Sequence, residues 1–278
     1  MYRLLTGRLK LERLTVPIAN LPPSLQGTKI VQLSDFHYDG FCLSEALLAE
    51  AIATSNQIQP DLIFLTGDYV TSDPAAIHKL ILRLKHLTSR YGIYAVLGNH
   101  DIYFSHSKPT IIRALTSIDI HALWNQIVYP FGSELAIVGF ADLRSYQFNP
   151  GAIMPLIDSK IPRIVLAHNP DTAEQLQSWR VDLQLSGHTH GGQIIIPKLG
   201  PLPGLLPEIY RFLPQPLRQH LPYARKKSYK VFQHWEWSQG LHQVGKNLLY
   251  VNRGLGTYLP GRLFCRPEIT VIKLVARR

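Results

Sequence analysis

Five times before residue 191 a short apolar run stops in a cluster of Asp, His, Asn and Gly. The clusters are LSDFH (33–37), LTGDY (65–69), LGNHD (97–101), LAHNP (166–170) and LSGHTH (185–190). The runs that lead into them are Lys29 to Leu33, Leu62 to Leu65, Ile93 to Leu97, Ile164 to Leu166 and Leu183 to Leu185. Each has the length and the Ile, Val and Leu content of a buried strand, as does Leu135 to Val138. Helical patterns lie between them. Ser44 caps one that runs to Asn56, Asp73-Pro74 opens another over Ala75 to Arg90, and Asp171 with Glu174 has capping-box spacing at the start of a third that ends at Trp179. Strands alternating with helices predict a layered α/β domain, in which the loops beyond the strands' carboxyl ends open onto one rim. Five polar clusters on one rim make one site. Leu248 to Val251 and Glu268 to Val275 lack an intervening helix and are expected to add strands at the far side.

The clusters offer Asp35, His37, Asp68, Asn99, His168, His188 and His190 as metal ligands, with His100 beside them. His188 and His190 stand at i and i+2, so on an extended chain their imidazoles point the same way. Gly187, Gly191 and Gly192 around them let the backbone crowd against something. Carboxylate, imidazole and amide together suit Mn²⁺, Fe²⁺ or Zn²⁺, and the lack of thiolates argues against Cu(I). Seven ligands are too many for one ion with an open position. Two divalent ions sharing a carboxylate, about 3.5–4 Å apart, match the count and supply a nucleophile near neutral pH.

These motifs, D-x-H, G-D, G-N-H-D, a lone His and G-H-x-H, occur in the order of the calcineurin-like metallophosphoesterase superfamily, which the chain resembles over roughly residues 29 to 193. LPPSLQGTKIVQLSDFH, GHTHGGQIIIP and VNRGLGTYLPGRLFCRPEITVIKL resemble its bacterial YkuE/YaeI-type phosphodiesterase branch, related to the chlamydial type of UDP-2,3-diacylglucosamine pyrophosphatase. The soluble pyrophosphatase of lipid A synthesis has G-N-R-D and G-H-T-H-R-P instead, so similarity to that enzyme is generic. The resemblance implies a four-layer α/β/β/α sandwich and a metal-dependent phosphohydrolase, with Mn²⁺ first and Fe or Zn²⁺ next as its two ions. It implies that Asp35, His37 and His190 hold one ion, that Asn99, His168 and His188 hold the other, and that Asp68 bridges them. His100 would contact phosphate and protonate the leaving oxygen, with Asp101 orienting its ring. Asp142 in GFADL is either a support for the site or a turn cap. Arg253 and Arg262 either clamp phosphate or are solvated surface residues. His78, His86, His106, His121, His220, His234 and His242 match no motif and read as surface or packing residues.

The 278 residues read as one domain. A net charge of +10 implies an anionic partner: nucleic acid, an anionic lipid surface or a phosphorylated substrate. Residues 198 to 230 hold Lys198, Arg211, Arg218, Arg225, Lys226, Lys227 and Lys230 against Glu208, a net +6 for that segment, and about 199–239 reads as an insertion. Leu, Phe and Trp interleave with those charges, and Pro207 and Pro216 can each start a short helix. The mixture favours a bilayer interface over a nucleic-acid groove, with a packed lid as the alternative. Charged residues and prolines break every apolar run in the first 23 residues, so the chain reads as cytoplasmic, with peripheral contact at the inner face of the membrane. Cys42 and Cys265 read as reduced packing residues. A nuclease or cyclic-nucleotide phosphodiesterase is a competing function, and a non-catalytic metal-bearing scaffold is another. A scaffold has no need of a leaving-group acid such as His100.

Overall fold

A computed structural model of the chain describes residues 6–212, 214 and 232–277. The strands used below are β1 (Lys10–Ile18), β2 (Lys29–Leu33), β3 (Leu62–Leu65), β4 (Ile93–Ala95), β5 (Ile120–Ala122), β6 (Gln126–Val128), β7 (Ala136–Gly139), β8 (Arg163–Leu166), β9 (Leu183–Ser186), β10 (Gly240–Val244), β11 (Asn247–Val251) and β12 (Glu268–Ala276). They form two six-stranded sheets, ordered β1-β12-β2-β3-β4-β5 and β10-β11-β9-β8-β7-β6. The β2-β3-β4-β5 and β11-β9-β8-β7 ladders are parallel, whereas β12 enters antiparallel to β2.

Both faces of the central strands are buried, which is why their sequences are apolar at nearly every position. Ile30, Leu62 and Phe64 point inward and meet Ile164, Leu166, Leu183 and Leu185 of the other sheet. Their neighbours Val31, Ile63 and Leu65 point outward. There they pack under α1 (Glu45–Gln57), α2 (Ile77–Leu84) and α3 (Ser107–Thr116) through Leu48, Ile52, Leu80, Leu84 and Leu115. The opposite outer face, with Val138 and Val165, is covered by Met154, Ile157 and Leu176. The result is the four-layer α/β/β/α sandwich that the resemblance implies.

Several local expectations change. Ser44 accepts from the Leu47 N–H and caps α1 as read, but Asp73 caps only a short 3₁₀ turn, and α2 ends at Leu84. The Asp171 capping box does not form. Its carboxylate accepts instead from the N–H groups of Gln233 and His234 (3.0 and 3.3 Å), and the helix covers only Thr172–Gln175 before a 3₁₀ turn. Pro207 starts no helix; it lies inside Leu202–Phe212. Pro216, Arg218, His220, Arg225, Lys226, Lys227 and Lys230 lie outside the described residues. Strand β1 was hidden in the sequence by its charges, although Leu14, Val16 and Ile18 alternate with Arg13, Thr15 and Pro17 at the period of a strand.

Candidate metal centre

Every cluster arrives at one place because the parallel strands of both sheets deliver their carboxyl ends to the same rim. Several contacts hold the sheets together there, two of them at the heart of the site. Gln32 Nε2, on β2, donates to the Ser186 carbonyl on β9 (2.9 Å), and the His188 N–H donates to both oxygens of Asp35 (3.0 and 3.1 Å). That approach explains Gly187: a Cβ there would lie 2.0 Å from Ser34 Oγ and 2.3 Å from Asp35 Oδ2. Asp35, His37, Asp68, His188 and His190 all adopt positive φ, between 43° and 73°. Such a backbone costs about 1–3 kcal/mol at each residue, and persists where the surrounding structure over-determines it.

Three groups of side chains each bring their ligand atoms within 4.8 Å of one another: Asp35, His37 and His190; Asp68, His168 and His188; and His37, Asp68 and His100. Asp68 Oδ2 lies between the first two groups, 3.5 Å from His37 Nε2 and 3.1 Å from His168 Nε2. His190 Nε2 stands 3.0 Å from His37 Nε2, and His188 Nδ1 stands 3.2 Å from His168 Nε2.

These residues suit a divalent metal on evidence internal to the chain. The Nδ1–H groups of His168 and His190 donate to the carbonyls of Thr66 (2.7 Å) and Gly256 (3.1 Å), so in their neutral form the rings turn Nε2 lone pairs into the cluster. Lone pairs facing one another at about 3 Å need a cation between them. Asn99 Oδ1 is buried with no hydrogen-bond partner, an unusual state for a carbonyl oxygen and one that a metal relieves.

The electrostatics agree. Burial disfavours a charged His168, yet Asp68, Asp35 and Asp142 push it up to about 10: the carboxylates around it favour a positive charge at this point. Burial, helped by His100 and His168 and resisted by Asp68, pushes His37 down to about 3. Burial works against ionising Asp68, but His168, His100 and His37 hold it well below the usual carboxylate range. Burial and the charge of Asp68 raise Asp35 to about 6, against the pull of His168.

The remaining expected residues are placed differently. Asp101 does not orient His100. Its fully buried carboxylate accepts from the N–H groups of Gly98, Asp68 and Tyr69, all at 2.8 Å, and so ties two site loops together. The His100 ring is held instead by the Thr71 carbonyl, to which Nδ1–H donates. Arg253 pairs with Glu12 (2.7 Å) and Glu268 (2.6 Å). Arg262 is buried among the carbonyls of His190, Arg253, Gly254 and Gly256. Neither guanidinium is solvated or turned to a phosphate; both brace the glycine loop behind His190. Asp142 caps a turn by accepting from the Arg144 N–H (2.9 Å), while its other oxygen is buried, unpaired and felt by His168.

Of the unassigned histidines, His121 stacks on Tyr94, His106 on Phe104 and His234 on Trp237. Cys42 and Cys265 are free and buried. Tyr258, which the sequence reading passed over between its two arginines, places its hydroxyl 2.7 Å from His37 Nδ1.

Residues 28–192 match the model of the calcineurin-like phosphoesterase family. The phosphodiesterase YaeI of Escherichia coli (strain K12) is 33% identical over 251 residues, which cover 89% of this chain and 82% of that protein. The metallophosphoesterase YkuE of Bacillus subtilis (strain 168) is also 33% identical, over 94% of this chain and 83% of its own. The UDP-2,3-diacylglucosamine pyrophosphatase LpxG of Chlamydia muridarum (strain MoPn / Nigg) is 28% identical, over 95% and 89%. A solved structure with 10% identity shares the fold, with a TM-score of 0.51 over 85% of this chain and 91% of its own. Motif order, the convergence of the ligands at one rim and this likeness over nearly the whole length agree: the chain belongs to the calcineurin-like phosphoesterase family, and is a metallophosphoesterase and thus a hydrolase.

Proposed function

We propose that the chain hydrolyses a phosphodiester or pyrophosphate bond with two divalent ions, manganese foremost and iron or zinc as the alternatives. Asp35, His37 and His190 would hold one ion, Asn99, His168 and His188 the other, with Asp68 shared. The observation that carries this reading is the position of Asp68 Oδ2 between His37 and His168, within reach of both groups. When bound, two such ions offset charge at phosphorus and acidify water towards neutrality.

The chain's own groups do the rest. Water adds to phosphorus, the bond to the departing oxygen breaks, and that oxygen takes a proton from His100. Because the Thr71 carbonyl holds Nδ1–H, the proton handed over is the one that the imidazolium form carries on Nε2. Asp101, by tying the Asp68 loop to the His100 loop, keeps the acid in register with the shared carboxylate.

Purified protein loaded with Mn²⁺ is expected to hydrolyse bis-p-nitrophenyl phosphate and to lose that activity on chelation. Protein shown to hold two ions that turns over no phosphoester or pyrophosphate would make it a scaffold. The substrate panel sets lipid-linked pyrophosphates such as UDP-2,3-diacylglucosamine against cyclic nucleotides, single-stranded DNA and simple diesters.

A lipid-borne substrate is favoured by the apolar side chains around the rim. Phe41, Tyr103, Tyr146, Leu259 and Phe264 lie in loops that follow β2, β4, β7 and β11, and all are exposed, Tyr146 at 97% and Leu259 at 84%. Leu199 and Phe212, on the stem of the basic insertion, are exposed as well. No described helix is long and apolar enough to cross a membrane, and the contact we propose is peripheral, through these side chains. Each Lys or Arg near an anionic surface contributes about 1 kcal/mol before screening, and buried Leu or Phe side chains about 1.5–3 kcal/mol each. Sedimentation with phosphatidylglycerol vesicles is expected to show binding that weakens in high salt, persists in part, and falls when Arg225, Lys226 and Lys227 become Glu. Indifference to vesicles, combined with salt-steep binding of single-stranded DNA, would instead favour the nuclease.

A further inference from the structure

The imidazoles around the centre are not anchored alike. His100, His168 and His190 each direct Nδ1 to a backbone carbonyl, of Thr71, Thr66 and Gly256. A carbonyl oxygen only accepts, so the hydrogen on each of those nitrogens is fixed. His37 differs. Its Nδ1 faces the Tyr258 hydroxyl, which both donates and accepts.

The direction of that hydrogen bond follows from what the other side of the ring is doing. His37 Nε2 faces the cluster, 3.0 Å from His190 Nε2 and 3.5 Å from Asp68 Oδ2. If Nε2 gives its lone pair to a cation, the neutral ring keeps its hydrogen on Nδ1 and must donate it to the Tyr258 oxygen. The phenol's own hydrogen is then free of His37. Among the described residues the hydroxyl has no other hydrogen-bond partner, so the hydrogen lacks an acceptor among them.

The position of Tyr258 indicates where an acceptor would come from. The ring centroid lies 4.9 Å from that of His37, 5.3 Å from His190 and 6.4 Å from His100. The side chain is neither free to swing nor sealed off. Its backbone N–H is held by Gln193 Oε1 at 2.7 Å, and the residue is half-buried.

On the phosphoesterase reading above, we propose that Tyr258 completes the site in two ways. It fixes the His37 ring by accepting from Nδ1–H, and it donates its released hydroxyl hydrogen to an oxygen of the bound phosphoryl group. No covalent step is involved. The phenol stays neutral, as burial and the nearby charge of Asp68 require by raising it far above its ordinary range.

Tyr258→Phe tests both halves, because it keeps the ring that packs on His37 and His190 and removes only the oxygen. A melting temperature and the circular-dichroism spectrum check that it folds. The variant is expected to bind two ions per chain but to need about 10–100-fold more Mn²⁺ for half-occupancy, the usual cost of removing a ligand's hydrogen-bond partner. At saturating Mn²⁺, inorganic phosphate should inhibit it about tenfold less well, and KM for bis-p-nitrophenyl phosphate should rise with it. An unchanged Mn²⁺ titration would overturn the contact with His37, and unchanged phosphate inhibition would overturn the contact with substrate. Wild-type protein that holds two ions yet hydrolyses nothing would instead sink the phosphoesterase reading, and the Mn²⁺ titration would still decide the His37 contact.

Discussion

Asp68→Ala is expected to strip the protein of both metal ions and to reduce phosphoester hydrolysis to background. The expectation rests on one oxygen. Asp68 Oδ2 faces His37 at 3.5 Å and His168 at 3.1 Å, and Asp68 Oδ1 accepts from the His100 N–H at 2.9 Å. Removing that carboxylate takes the negative charge that both groups face and leaves Asp35 as the one carboxylate beside four imidazoles. Elemental analysis after gel filtration should fall from about two ions per chain to fewer than one. A variant that keeps both ions would show that Asp68 does not bridge them. The φ of 55° remains in the variant, where alanine tolerates it less well than aspartate, so a melting temperature and a circular-dichroism spectrum accompany the metal analysis: loss of the metal from a folded protein is the signature to look for.

His100→Asn is expected to leave both ions in place and to lower kcat by about 10²–10⁴. Its ring is tied to the Thr71 carbonyl, outside the two groups that the proposal assigns to metal. The geometry also contains the alternative, since His100 forms a third group with His37 and Asp68. Metal analysis separates the two. Loss of an ion from the His100→Asn protein would make His100 a ligand. Retention of both ions, with turnover lost equally on good and poor leaving groups, would deny it the role of acid, because protonation of the departing oxygen matters most when that oxygen leaves poorly.

Much of the site was legible in the sequence because its signals are local. A strand of four or five apolar residues and the polar residue types that follow it are written within one short stretch of chain. Asp35, His37, Asp68, Asn99, His100, His168, His188 and His190 could therefore be named before any contact was known. The glycine at position 187 was readable in the same way, as a demand for close approach, though not what approached. Helix extents were read less well. Asp171 had the spacing of a cap, but the N–H groups of Gln233 and His234, some 60 residues away, compete for its carboxylate and hold it.

What sequence alone determined, then, was which residue types stand at the strand ends, since alternation, capping and turn chemistry act between neighbours. Which of them face one another, and through which atom, was decided by the tertiary structure. Arg253 looked free to bind phosphate until Glu12, 241 residues away, was brought to it by β1 pairing with β12. Asp101 stands next to His100 in the chain, yet its carboxylate turns inward to N–H groups of another loop. Tyr258 meets His37 across 221 residues. A charged or polar side chain buried at such a junction takes whichever partner satisfies it, because an unpaired one is costly away from water. That partner is set by how two sheets pack, and no spacing along the chain encodes it.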